Sequence, residues 1–249
     1  MRELTRTARH ERRRLRITVF CGAGPADPEY MRAAAATGRL LAEHNVHVVY
    51  GGGQLGLMGV LADSALAAGG EVTGVIPHAL HTVGITHPGL SRLHVVPDMA
   101  ARKERLTDLA DGIMALPGGL GTLDELAGVW AAAAHGTHAR PVGLLNTRGY
   151  YNPLLHFLQT AAAAGFLAHH PGLRLDDLAL ADDDPIRLLH YVAVHTSLPA
   201  TALRVPANAK GATCPRTRRP AAAPTSTSTP DPASTSASPP SENTPPSSR

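Results

Sequence analysis

The sequence predicts a single α/β domain, doubly wound around a mostly parallel sheet, over residues 16–200 of the 249-residue chain. Short apolar runs alternate with stretches of helical composition along that whole span, the pattern of strand–helix–strand units. Two of the strands lead straight into glycine-rich turns that open helices, and ligands of open α/β sheets bind at that edge. A segment of this length can bury a core of its own. With aromatic residues at 4%, that core is made of Ala, Leu and Val.

Strands are expected over residues 16–21, 46–50, 72–76, 93–97, 112–116, 142–146 and 178–181. Helices are expected over 28–43, 56–68, 99–110, 122–134, 152–164 and 185–195. The second strand, Val46-His47-Val48-Val49-Tyr50, feeds Gly51-Gly52-Gly53-Gln54-Leu55-Gly56-Leu57-Met58-Gly59, and an Ala/Leu-rich helix follows. Asp98 is of the type that caps a helix start and stands just before Met99. The run Gly112-Ile113-Met114-Ala115-Leu116 reads as a buried strand and leads into the second glycine turn.

That second turn, Pro117-Gly118-Gly119-Leu120-Gly121-Thr122-Leu123-Asp124-Glu125, is the most informative stretch. Glycines between a strand and a helix start let backbone N–H groups approach an anion, and the helix dipole adds about half a positive charge there. The spacing is neither the dinucleotide fingerprint nor a Walker loop, which would end in Gly-Lys-Ser/Thr. Glu125 places a carboxylate beside a phosphate-friendly turn, which suggests a nucleotide that is cut as well as held. Taken alone, Glu125 also reads as an acid in the first turn of a helix, favoured by the dipole.

The ends differ from the body. Residues 1–16 carry a net charge of +5, and the Pro/Ser/Thr/Ala-rich stretch from 206 onward carries +3. The chain totals +3, so residues 17–205 are left at −5. The positive charge is not on a folded face, which argues against a nucleic-acid-binding domain. A basic arm over 1–15, able to touch RNA or a membrane surface or to stay solvated, and a disordered tail over 206–249 are expected. No stretch is apolar and long enough to span a bilayer, and no signal peptide is evident. The cysteines Cys21 and Cys214 make no disulfide framework, consistent with a cytoplasmic protein. The fourteen histidines show no zinc spacing; His135 with His138, and His169 with His170, are among the close pairs. No metal is expected.

The two glycine motifs, together with Met99-Ala100-Ala101-Arg102-Lys103, resemble the LONELY GUY family of cytokinin riboside 5′-monophosphate phosphoribohydrolases, many of which carry the label "lysine decarboxylase-like". The resemblance runs from Ile17-Thr18-Val19-Phe20-Cys21-Gly22 through Arg140-Pro141-Val142-Gly143-Leu144-Leu145-Asn146 and Gly149-Tyr150-Tyr151-Asn152 to about Val194. It implies a Rossmann-like fold, a homodimer and no cofactor, with hydrolysis of a purine, N6-substituted adenosine 5′-monophosphate to free base and ribose 5-phosphate. Glycosidic cleavage passes through an oxocarbenium-like sugar, which needs a carboxylate and a cationic clamp. By resemblance Arg102 and Glu125 are the catalytic pair, and Lys103 falls on a binding position. Gly118, Gly119, Leu120, Gly121, Thr122 and Asp124 are expected to hold substrate, with Gly52, Gly53 and Met58 from the first motif. Asp124 could equally add charge to the helix start, and Arg102 and Lys103 could belong to a solvated face.

Several positions depart from the family pattern. Ala100 stands where a histidine is usual, Gly84 where an acid is often found, and Ala131, Ala132, Ala133 and Ala134 where a Thr-Trp-Ala-Gln run is common. Positions expected at the base pocket or a subunit contact are therefore small, which leaves room for a changed base preference. The Ala-rich helix 122–134 is expected at that contact. A decarboxylase using pyridoxal phosphate needs a lysine, and Lys103 is the one lysine outside the tail, which also holds Lys210. A non-catalytic nucleotide or molybdenum-cofactor carrier, and a protein interacting through its tails, remain the alternatives.

Overall fold

A computed structural model describes residues 13–167 and 178–196. Residues 1–12 of the arm expected over 1–15, the histidines at 169 and 170, and the tail expected over 206–249 lie outside the described residues. The arm's last residues belong to the domain instead, with Arg14 paired to Glu71 at 2.9 Å and Leu15 buried in the core. In chain order the elements are β1 (Arg16–Phe20), α1 (Pro28–Glu43), β2 (His47–Tyr50), α2 (Gly56–Ala67), β3 (Val72–Pro77) and α3 (His78–Thr82). They continue with β4 (Arg92–Val96), α4 (Met99–Leu109), β5 (Gly112–Ala115), α5 (Leu120–Ala134) and β6 (Val142–Leu145). A 3₁₀ turn (Thr147–Gly149), α6 (Asn152–Ala163), β7 (Leu180–Asp182) and α7 (Pro185–His195) complete them.

The strands form one sheet in the order β4-β3-β2-β1-β5-β6-β7, with every strand pairing parallel. A lone antiparallel bridge joins Gly53 to Thr86 outside these strands. Successive strand residues point to opposite faces, so Val48 and Tyr50 of β2 enter one core cluster and Val49 the other. The first cluster packs the sheet against α1, α2 and α7; the second packs it against α4, α5 and α6. This is the doubly wound, Rossmann-like arrangement.

The expected strands and helices occur within a few residues of their positions. Two features differ. The short helix α3 follows β3 directly, too brief to show a helical period in the sequence. The helix α5 starts at Leu120 rather than 122, because Gly119 serves as its cap. Asp98 does cap α4, its carboxylate accepting from the Ala101 N–H at 2.9 Å. The single tryptophan, Trp130, is buried on α5 and donates its indole N–H to the Leu178 carbonyl at 2.9 Å. No helix among the described residues is long and apolar enough to cross a membrane.

α1 and α2 lie close together through Gly38, where a Cβ would stand 2.3 Å from the Leu61 carbonyl oxygen. Gly128 is an exposed mid-helix position on α5 where a Cβ would meet nothing within 4 Å. Gly38→Ala should therefore destabilise the domain by about 1–3 kcal/mol through overpacking. Gly128→Ala should stabilise it by about 0.5–1 kcal/mol by restricting the unfolded chain. Shifts in the urea midpoint, of opposite sign for the two variants, check both.

Candidate active site

Strand order reverses between β1 and β5, and the chain leaves their carboxyl ends toward helices on opposite faces of the sheet. A crevice results at that edge. The Gly22 N–H, just past β1, donates to the Pro117 carbonyl, just past β5, at 3.1 Å. A cleft of about 560 Å³ opens here, lined by the turns after β1, β2 and β5 and by Arg102, Glu125 and Tyr150. Its apolar wall includes Leu57, Met58, Ile76, Leu80 and Ile85. The turns meet closely. A Cβ on Gly118 would lie 2.1 Å from the Thr122 Oγ1, and one on Gly51 would lie 1.8 Å from Nη2 of Arg102.

Arg102 on α4 and Glu125 on α5 face one another across this floor, both nearly inaccessible at 6% and 4% exposure. Nη1 of Arg102 stands 3.4 Å from Oε1 of Glu125. Its Nε donates to the Val75 carbonyl and its Nη2 to the Gly51 carbonyl, each at 3.2 Å, while Nη1 also reaches the Met99 sulfur at 3.9 Å. The guanidinium thus ties the ends of β2 and β3 to α5. Burial pushes the Glu125 carboxyl from its ordinary 4.5 up to about 7; Arg102 opposes the rise, Asp124 adds to it and Lys103 opposes it. Cys21 lies at the same floor, and burial drives its thiol far upward, with Glu125 adding to the shift. It is therefore a neutral thiol, unsuited to nucleophilic attack.

The start of α5 supplies the anion-binding geometry. Gly119 caps it without a side-chain hydrogen bond, and the first N–H groups of a helix have no partner within it. Gly118, Gly119, Gly121 and buried Thr122 line the cleft beside these groups. Because α5 begins at Leu120, Glu125 sits in its second turn, and no acid occupies the first. The reading of Glu125 as an acid favoured by the helix dipole is therefore corrected: the dipole's effect is confined to the first turn. At α2 the Met58 N–H instead donates to the Gly22 carbonyl at 3.3 Å, so part of that second helix start is already satisfied.

The remaining expected residues divide. Gly53 and Met58 line the cleft. Gly52 is not among its lining residues; it adopts a φ of +77° where β2 turns, packed against Gly74 and Ile76. Leu120 is 86% exposed on the outer side of the helix start. The Lys103 ammonium is bound by both oxygens of Asp124 at 2.9 Å, an exposed bridge between α4 and α5 outside the cleft lining. Gly84, Ala100, Ala131, Ala132 and Ala134 do not line the cleft either. The lining residues not anticipated include Tyr30, Tyr150, the 23–27 turn, and Leu80 and Ile85 around α3. The Gly149-Tyr150-Tyr151 run is a signal that could have drawn attention to one of them. Among the described residues no group of three His, Cys, Asp or Glu is placed to hold a metal.

A parallel α/β protein with a buried acid beside a glycine-built helix start belongs to the nucleotide-handling class of such folds. Residues 58–184 match the protein family described as "possible lysine decarboxylase", and the chain belongs to that family. It is 44% identical over 153 residues to a cytokinin riboside 5′-monophosphate phosphoribohydrolase of Rhodococcoides fascians, covering 61% of this chain and 77% of that one. An Arabidopsis thaliana enzyme of the same name is 44% identical over 154 residues, 61% of this chain and 71% of that one. Among solved structures, the molybdenum cofactor binding protein of Rippkaea orientalis aligns with a TM-score of 0.55 at 22% identity, over 72% of this chain and 94% of that one, a likeness of fold. The family description invokes chemistry that needs a lysine free to form a Schiff base with pyridoxal phosphate. Lys103, the one lysine among the described residues, is bound to Asp124 outside the cleft. The residues present do not fit that cofactor.

A carboxyl raised to about 7 makes stability pH-dependent. Between pH 4.5 and 7 the folded chain binds the Glu125 proton more tightly than the unfolded chain does, so stability falls as pH rises through that window. The full effect is about 3 kcal/mol. Glu125→Gln should lack this slope and unfold at a higher temperature than the native chain at pH 8, with little difference at pH 4.5. Thermal unfolding across that range checks the sign.

Proposed function

We propose that this protein hydrolyses the N-glycosidic bond of a purine nucleoside 5′-monophosphate, of the N6-substituted adenosine type, releasing a cytokinin-type free base and ribose 5-phosphate. The observation that carries the reading is the buried Glu125 carboxyl, held by Arg102 and set beside the glycine-built start of α5. Relatives at 44% identity bearing the name of this activity support it.

In this reading the 5′-phosphate rests against Gly118, Gly119, Gly121 and Thr122, where helix N–H groups and the Thr122 hydroxyl donate to it. Phosphate binding then positions the ribose over Glu125. The bond from C1′ to the base nitrogen breaks with its electron pair leaving on the base. Positive charge spreads over C1′ and the ring oxygen, and ionised Glu125 stabilises it and accepts a proton from the attacking water. The water oxygen bonds to C1′, and a proton ends on the released base. Arg102, with most of its fork taken by Gly51, Val75 and Glu125, keeps that carboxylate aimed and ionisable. The apolar wall of Leu57, Ile76, Leu80 and Ile85 is the surface for the base and its substituent. Lys103 and Asp124 brace α4 against α5 beside this machinery.

Catalysis is assigned to residues 16–200, and a homodimer in the cytoplasm, where such nucleotides are kept, completes the reading. Edge strand β4 exposes Leu93 and Val95, α4 exposes Met99, and α5 exposes Leu120 and Leu123. These apolar positions lie on neighbouring elements and suit a second copy of the chain. Light scattering should give twice the chain mass, and Leu123→Glu should lower it toward the monomer.

The decisive experiment incubates the purified protein with AMP, an N6-alkylated AMP, GMP and CMP and follows free base by chromatography. The native protein should release base from a purine monophosphate, and from its 5′-dephosphorylated nucleoside at least about a hundredfold more slowly, since phosphate binding supplies the positioning. Glu125→Ala should lose at least about a hundredfold in kcat. Turnover should rise with pH to a plateau, with a midpoint near 7 where Glu125 ionises. Binding without release of base from any nucleotide would replace the hydrolase with a carrier.

A further inference from the structure

Every carbonyl of the segment 116–118 is held by a partner from elsewhere in the chain. The Tyr151 hydroxyl donates to the Leu116 carbonyl at 2.7 Å, the Gly22 N–H to the Pro117 carbonyl at 3.1 Å, and the Tyr150 hydroxyl to the Gly118 carbonyl at 2.5 Å. Two consecutive tyrosines thus grip two carbonyls of one turn, their rings edge to face with centroids 5.2 Å apart. Tyr150 also meets Tyr30 of α1 edge to face, at 5.6 Å.

The loop presenting these rings is built to hold them in place. The Asn146 side chain accepts from the Tyr151 N–H at 2.8 Å and donates to Asn152 at 2.8 Å. Arg148 stands at a φ of +55°, which costs a non-glycine residue energy. Its guanidinium lies 3.5 Å from both Asp27 and Glu29 at the start of α1. The loops after β1 and β6 are thereby fastened to one another beside the cleft.

In a planar trans peptide the N–H of one residue points opposite to the carbonyl before it, and the described residues contain no cis peptide bond. Fixing the Gly118 carbonyl therefore fixes the direction of the Gly119 N–H, at the cap of α5. Fixing the Leu116 carbonyl aims no N–H, because the next residue is proline. We propose that Tyr150 is a positioning residue of the phosphate site: through the Gly118 carbonyl it aims the Gly119 N–H that receives the 5′-phosphate. The proposal rests on the phosphate placement given above. Tyr151 grips the same turn and serves as the structural counterpart that orients no donor.

Calorimetric titration of the full chain with ribose 5-phosphate separates the two roles without requiring turnover. Tyr150→Phe keeps the ring and its stacking, and should bind ribose 5-phosphate about five- to tenfold more weakly than the native protein. With a nucleotide substrate it should raise KM by a similar factor while kcat changes less than about twofold. Tyr151→Phe should lower the melting temperature and leave ribose 5-phosphate affinity within about twofold. Native-like affinity in Tyr150→Phe, equal weakening by both variants, or no binding by the native protein would each overturn the proposal. The expected pattern of affinities without hydrolysis of any nucleotide would leave it standing and remove only the hydrolase reading.

Discussion

One guanidinium holds the working end of this sheet together. Arg102 reaches from α4 to the carbonyl ends of β2 and β3 and to the carboxylate of α5, so three elements distant in sequence share a single planar group. The arrangement is possible only because Gly51 has no side chain where Nη2 lies. Truncating Arg102 would leave the buried Glu125 carboxylate uncompensated, a loss that typically costs about 3–5 kcal/mol while that group is ionised. The bond is also lopsided. Burial favours the neutral acid while Arg102 favours the carboxylate, and the balance leaves Glu125 titrating near neutrality. A group poised there can exchange a proton with water at little cost, which is what an acid–base residue requires.

The lone reversal of strand order decides where that pair operates. Because α1 and α5 leave β1 and β5 toward opposite faces, the ends of these strands stand open between them, and Gly22 bridges to Pro117 across the gap. Glycines line the opening where backbones must pass within ångströms of one another, as at Gly118, where a Cβ would stand 2.8 Å from the Gly22 nitrogen. An apolar wall comes from α2, β3 and the short segment α3, so one cleft offers both hydrogen-bond donors and hydrocarbon surface.

Much of this was legible in the sequence, for definite reasons. The parallel sheet is announced by apolar runs such as residues 46–50 and 112–116, each buried on both faces and each leading into a glycine-rich turn. Arg102 and Glu125 were reachable through their motifs, although neither periodicity nor spacing could show that they touch. The helix α5 starts two residues earlier than its sequence pattern indicates, because a glycine cap leaves no side-chain signature, and Glu125 accordingly falls in the second turn rather than the first. Lys103 and Asp124 read as binding residues in the linear pattern, yet they find one another across two helices. Tyr150 carries only the faint signal of the Gly149-Tyr150-Tyr151 run, because its partners lie on α1 and on the turn after β5, brought near it only by the sheet order.

The position of Trp130 has a practical side. The chain has one indole, and it sits on the same helix as Glu125, little more than a turn further along, sealed from solvent and anchored by its N–H to the carbonyl of Leu178. Its emission is consequently an intrinsic optical probe of α5. Any shift of that helix when an anion settles at its start would change the polarity around a single fluorophore, so occupancy of the cleft can be followed in the unlabelled protein.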